Sequence, residues 1–240
     1  MRYLDIAQEL RGRIAAGAVG AAGALPSEAD LAQEFGASRV TVRRALDALR
    51  DEGLVTSRRG SGWFVALDPV HQPLGRVTTV EAALEAAGAT PSRRVLEFAF
   101  EPATAEVAKT LGLAADAEVL RVTRCNLADD EPFAIVAVWV DAVLGAHLSR
   151  ADVERATFHE LLPLQGVEPG RVVQTITAAS ASRDDARRLG ISSGSPLLAC
   201  RRVTYDRRGR AVMLAEHRYA AHRTAFEVEF PLSTESWSER

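Results

Sequence analysis

The chain has 240 residues, 47% hydrophobic and 25% charged, which is enough for one sizeable core and a second, smaller one. Its 29 Lys and Arg against 32 Asp and Glu leave a net charge of -3. The molecule is therefore no polycation, and any affinity for nucleic acid must come from basic groups gathered in one place.

From the N-terminus, Tyr3 to Ala16 reads as a helix with Leu4, Ala7, Leu10 and Ile14 on one face. The glycine- and alanine-rich stretch GAVGAAGA follows as a connector. Ser27 stands just before Glu28-Ala29-Asp30-Leu31-Ala32 with an acid three residues on, the pattern of a capped helix start. Gly36 supplies the left-handed stop. Ser38 then caps a second helix in which Val42, Ala45, Leu46 and Leu49 recur at i, i+3, i+4 and i+7. That stripe leaves Arg39, Thr41, Arg43 and Arg44 to one side, around the first turns.

A helix entered by a tight turn and carrying such residues at its start suits the DNA major groove. Guanidinium forks pair with guanine edges or phosphates, and threonine bonds a phosphate or touches a thymine methyl. Arg39 and Arg43, spaced i and i+4, share a side of the helix and are the expected base readers. After Gly53, Leu54-Val55-Thr56 reads as a strand and Gly62-Trp63-Phe64-Val65 as its return. Arg58-Arg59-Gly60-Ser61-Gly62 is the basic turn between them. Helix, turn, helix and basic wing predict a winged helix over residues 1–66. Ser27, Ser38, Thr41 and Arg44, with Arg58, Gly60 and Gly62 of the wing, are expected to hold phosphates or the minor-groove edge.

The run LPSE, the run SRVTVRRALDAL, the triplet EGL and the wing RRGSG resemble the GntR superfamily of bacterial transcription regulators. The resemblance implies binding to two-fold related operator DNA by a dimer. One departure is visible: the family places an arginine after LPSE, where this chain has Ala29.

Beyond Ala66 the periodicity stops and Pro69 and Pro73 appear, so residues 67–74 read as a linker. Residues 75–232 then mix α and β, and residues 233–240 form a polar tail. Thr79 precedes a short helix, Val80 to Ala87. Arg93 to Phe100 is strand-like, and a helix runs from Pro102 to Leu111. Val119–Leu127 and Phe133–Val140 make a hairpin. Thr157 to Leu164 is helical, Arg171 to Ala181 a long strand, and Ser182 caps a helix to Leu189. Leu197–Tyr205 and Val212–Tyr219 form a second hairpin, and Phe226–Phe230 a last strand. The pattern Ala108…Leu111-Gly112…Val119-Leu120…Arg124 returns as Ala186…Leu189-Gly190…Leu197-Leu198…Arg202. Two such copies predict a pseudo-symmetric antiparallel sheet with helices on it.

This half resembles the UTRA effector domain of the HutC subfamily, whose fold is similar to chorismate lyase. The resemblance rests on LADDEPFAI, FHELL with Gly166, the run from Ala178 to Leu198, and YDRRGRAV. It implies an α+β homodimer in the cytoplasm whose C-terminal domains bind a small molecule and reposition the winged helices. By the same resemblance, Thr79, Arg124, Asn126, Glu216 and Tyr219 are the expected effector contacts. Sugar-phosphate-binding relatives carry a second arginine where this chain has Asn126 and a glutamate where it has Val136. A small carboxylate is therefore the expected ligand.

Other chemistry finds little support in the sequence. Cys125 and Cys200 lie inside apparent strands without CxxC spacing and read as reduced core residues. The five histidines show no metal-ligand spacing, so neither metal nor cofactor is expected. A lyase would have to assemble Glu131, Glu216 and Arg124, and no nucleophile elbow or phosphate loop is present, so no catalytic residue is expected. An architectural DNA-binding protein would not need so long a second half. No apolar run spans a bilayer, and the N-terminal sequence lacks the apolar stretch of a signal peptide.

Overall fold

The structure, a computed structural model, describes residues 2–15, 24–58, 62–66, 70–74, 84 and 88–229. Its architecture is the expected α+β one. Helices α1 (Tyr3–Ala15), α2 (Glu28–Glu34) and α3 (Arg39–Asp51) precede an antiparallel pair, β1 (Val55–Arg58) and β2 (Gly62–Val65).

The predicted caps form. Ser27 and Asp30 make a reciprocal capping box at α2, and Ser38 accepts from the Thr41 amide at α3. The stripe Val42, Ala45, Leu46 and Leu49 is fully buried, against Ile6, Ala7, Leu10, Leu31, Val55 and Trp63. Burying each leucine there is worth about 1.5–3 kcal/mol. On α1 the buried face differs from the expected one. Leu4 is 54% exposed, while Ile6 is buried and Tyr3 and Ile14 pack at the rim. Tyr3, Ile6, Ala7, Leu10 and Ile14 fall within one stripe roughly 100° wide, and Leu4 lies outside it.

The second half is built on one six-stranded antiparallel sheet, in the order β4-β5-β6-β9-β8-β7. Its strands are β4 (Pro91–Pro102), β5 (Glu118–Ala128), β6 (Glu131–Asp141), β7 (Pro169–Ser180), β8 (Pro196–Asp206) and β9 (Ala211–Ala220). The repeat seen in the sequence is the two halves of this sheet, joined at the central β6–β9 pair. Helices α4 (Ala105–Leu111) and α8 (Arg183–Leu189) are its equivalent helices. Both end on left-handed glycines, Gly112 with φ 66° and Gly190 with φ 65°.

The sheet is covered on both faces. On one, α4 packs against Val119, Val203 and Leu214, and α8 against Ile135 and Leu197. On the other lie α5 (Ala142–Gly145), α6 (Arg150–Arg155) and α7 (Phe158–Leu164). There Val153, Phe158, Leu161 and Leu162 meet Leu120, Val122, Val136, Val138, Ala215 and Tyr219 in the largest core. Cys125 and Cys200 are free, buried thiols.

Several segments differ from the sequence reading. Within the stretch expected to be a linker, β3 (Val70–Pro73) pairs in parallel with β10 (Thr224–Glu227). Pro102 closes β4 rather than opening a helix; α4 starts at Ala105, where Thr104 caps it. Strict alternation along β6 would put Phe133 with Ile135, Ala137 and Trp139, but it joins the core under α6 and α7, because the register shifts between Asn126 and Leu127. The helix expected over Val80 to Ala87 lies outside the described residues except at Leu84, which is buried in that core.

Candidate DNA interface and effector face

The free surface of α3 is the side turned away from the Leu46–Leu49 stripe. Arg39, Arg43 and Arg44 are exposed there, and so is Val40, at 71%. An exposed valine between arginines offers apolar contact to a thymine methyl.

Arg43 is braced. Its Nε lies 2.9 Å from Glu28 Oε1 and its NH2 2.6 Å from Oε2, while the Trp63 indole N–H donates to Glu28 Oε1 at 3.1 Å. One carboxylate thus ties the start of α2, the reading side of α3 and the wing strand β2 together. The Arg43 bond holds the Glu28 carboxyl below its ordinary range, and the indole bond adds to that. Arg44 stacks on Tyr3 of α1 with its guanidinium carbon 4.9 Å from the ring centre.

Ser27 and Ser38 spend their hydroxyls on capping: Ser27 Oγ bonds Asp30 Oδ2 at 2.7 Å, and Ser38 Oγ lies 2.9 Å from Thr41 Oγ1. Both remain at the surface beside the first turns of their helices. Gly62 opens β2 at φ 101°, a conformation that suits glycine. The Arg58 side chain and Gly60 lie outside the described residues.

On the sheet, Arg124 and Asn126 of β5 point to the side covered by α6 and α7. Paired positions across the strands share that face: Asn126–Ala134–Tyr219–Leu198, then Arg124–Val136–His217–Cys200, then Val122–Val138–Ala215–Arg202. Arg124 is 5% exposed and serves as a strut. Its NH1 donates to the Val153 and Ala156 carbonyls at 2.8 and 3.1 Å, and its plane lies 5.4 Å over Phe158. Arg93 donates to the Arg155 carbonyl at 3.1 Å, so two cations hold the C-terminal end of α6. Tyr219 is buried, with its hydroxyl 3.0 Å from His217 Nδ1.

One expected contact stands elsewhere. Glu216 projects to the opposite face, into a groove of about 310 Å³ with Arg121, Trp139, Arg188 and Arg218. Thr79 lies outside the described residues. The lyase set does not converge either, since Glu131 pairs with Arg223 at 3.3 Å, Arg124 is a strut and Glu216 faces away.

Sequence reasoning missed a polar cluster farther along the same face. Arg202 Nε donates to Gln174 Oε1 at 2.8 Å, and His159 Nε2 lies 3.3 Å from Thr204 Oγ1. His217 Nε2 is buried with no hydrogen-bond partner among the described residues. Burial, reinforced by Arg202 and Arg124, pushes the His159 imidazole down to about 4 and His217 well below the usual histidine range. The signal was the alternation of β8 and β9, which puts Arg202 and His217 on the side of Arg124; His159, on another helix, had no local signature.

The two halves also touch. Strand β9 leads from Tyr219 into a 3-10 turn, Ala221–Arg223, and there His222 packs on Gly53 just past α3. A Cβ added at Gly53 would stand 2.1 Å from the His222 Cβ.

Residues 2–65 match the family described as bacterial regulatory proteins, gntR family, and residues 86–225 match the UTRA domain. The chain is 30% identical over 224 residues to the HTH-type transcriptional repressor NagR of Bacillus subtilis, spanning 93% of this chain and 92% of that one. It is 34% identical to the HTH-type transcriptional regulator Rv0792c of Mycobacterium tuberculosis, over 95% of this chain and 85% of the relative. The crystal structure of PhnF from Mycobacterium smegmatis superposes with a TM-score of 0.65 at 25% identity, covering 95% of this chain and all of that one.

Proposed function

This chain belongs to the gntR family of bacterial regulatory proteins and carries a UTRA domain, and on that premise we propose that it works as a homodimeric repressor of two-fold related operators. It is a DNA-binding transcription regulator under small-molecule control and not an enzyme. The observation that carries the operator reading is the exposed start of α3, where Arg43 is held in place by Glu28 and the wing tryptophan. Arg39 and Arg43 read base edges, each winged helix taking one half-site. Arg44, Thr41, Ser27, Ser38 and the wing residues Arg58, Gly60 and Gly62 fasten the backbone. No helix among the described residues is long and apolar enough to cross a membrane, and the protein acts in the cytoplasm, where its operators are.

The effector occupies the sheet face under α6 and α7, with Asn126 and Tyr219 among its contacts and Arg124 holding the floor of the site. Occupancy reaches the DNA-binding half through β9, which runs from Tyr219 directly to His222 on Gly53. A thermal-shift screen of carboxylates against sugar phosphates identifies a ligand, and operator DNA is then titrated with and without it. Coupling of about 1–3 kcal/mol is expected, and it is reciprocal: operator changes the ligand's affinity by the same factor. A ligand that binds equally with and without operator is not the effector.

A further inference from the structure

Four arginines on the side of α4 and α8 are matched by acids. Arg121 and Arg188 pair with Glu97, Arg201 with Glu106, and Arg218 with Asp185. Arg202, on the other face, is half-buried, and no carboxylate pairs with it among the described residues. Its polar neighbours are the Gln174 carbonyl and the Cys200 thiol. A half-buried guanidinium without a counter-charge is unfavourable unless something anionic comes to it.

The groups around Arg202 point the same way. His217 is one strand away, on the residue paired with Cys200, and His159 reaches the same strand from α7. When His217 Nδ1 accepts from the Tyr219 phenol, the ring proton sits on Nε2, a buried donor with no acceptor among the described residues. Asn126 presents the opposite need, for its Oδ1 is buried and receives no donor among the described residues. His217 and Asn126 stand two strands and one row apart, roughly 12 Å at the backbone.

We propose that Arg202 and His217 form the subsite for the effector's anionic group, and that Asn126 accepts from a hydroxyl or amine at its other end. The effector class is then a small organic anion with a hydrogen-bond donor several atoms from its charge. This rests on the effector face proposed above, but it moves the charge-binding group from Arg124 to Arg202. Arg124 already has a structural task, since its NH1 donates to the Val153 and Ala156 carbonyls and holds α6 on the sheet. Burial first, and then Arg202 and Arg124, keep both imidazoles neutral, and the same two guanidiniums make this part of the face favourable to an anion.

The test is a titration of the full chain, labelled with 15N-histidine, with gluconate, acetate and inorganic phosphate, following the His217 ring signals by NMR. Gluconate, which carries both carboxylate and hydroxyls, is expected to shift His217 saturably and at lower concentration than acetate. Arg202→Gln is expected to raise the midpoint at least tenfold, with Arg202→Lys intermediate and Arg201→Gln unchanged. If no probe gives a saturable shift in the parent protein, or if the midpoint survives both Arg202 substitutions, the subsite is wrong. Arg202→Lys keeps the charge and guards against a glutamine variant that fails to fold. Operator binding, measured on the same samples, stands or falls separately. A response kept in Arg202→Gln and lost in Arg124→Gln would leave the effector face in place and return its charge-binding role to Arg124.

Discussion

On α3, Arg43 lies at the surface with a Glu28 oxygen 2.6 Å from it; on the sheet, Arg202 is half-buried among histidines and an amide, with no acid paired to it among the described residues. The first arginine has a counter-charge it can exchange. A DNA phosphate or guanine edge replaces Glu28 at modest cost, because both groups are near water, and until then the pairing holds the guanidinium in position. The second arginine has nothing to exchange, so its site favours whatever anion fits. Surface arginines with acid partners suit a polyanion met and left repeatedly, whereas a buried one without an acid suits a single small ligand.

A substitution in the core under α3 should cost the most. Leu46 is fully buried, and Leu46→Ala should destabilise the winged helix by about 2–5 kcal/mol. Denaturant unfolding followed at Trp63 should show the loss. His217 ring signals should stay in place, because the two cores are separate clusters. A parallel loss in both halves would mean that they fold as one unit.

Acid sharpens the contrast from the other side. An unfolded histidine titrates near 6.5, whereas burial holds His159 and His222 at about 4 and His217 well below the usual histidine range. Between roughly pH 6.5 and 4 the unfolded chain binds protons that the folded one does not, so stability falls as pH falls through that window. The Glu28 contribution has its own window: the Arg43 bond depresses that carboxyl, so its stabilisation is present above the unfolded carboxylate range and is lost below it. Thermal melts from pH 7.5 to 4.5 should decline steadily, and a flat profile would contradict neutral buried imidazoles.

Gly53→Ala addresses the contact between the halves. The glycine has φ +79° and would place a Cβ against His222, so the contact must open. DNA affinity without effector is expected to change only a few-fold, while the effector's influence on it should shrink. Operator titrations with and without ligand measure both. The smallest effect is expected for Arg44→Ala, which should lower the slope of log K against log salt by about one unit and leave sequence preference intact.

Local periodicity made much of this visible in advance. The Val42–Leu49 stripe, the Ser27 and Ser38 caps and the two hairpins follow from neighbours within a few residues, and those forces act the same way in the folded chain. Glu28 was not legible as a brace, because its partners Arg43 and Trp63 lie 15 and 35 residues away. Strand β3 is four residues with a proline at its end, too short to show a period, and its partner β10 is distant in sequence. Alternation along β9 already separates Glu216 from Tyr219, three residues on, so their opposite faces were readable from that strand itself. The Arg202–His217–His159 cluster needed three elements in register, which only the folded sheet supplies.

The most direct test of the account is selection of bound duplexes from a random DNA pool by the parent protein and by Arg39→Ala and Arg43→Ala. The parent should enrich one two-fold related sequence. Each variant should lose about tenfold or more of its discrimination at the bases it reads, symmetrically in both half-sites. Enrichment of no sequence by the parent, or of the same sequence with equal preference by both variants, would contradict it.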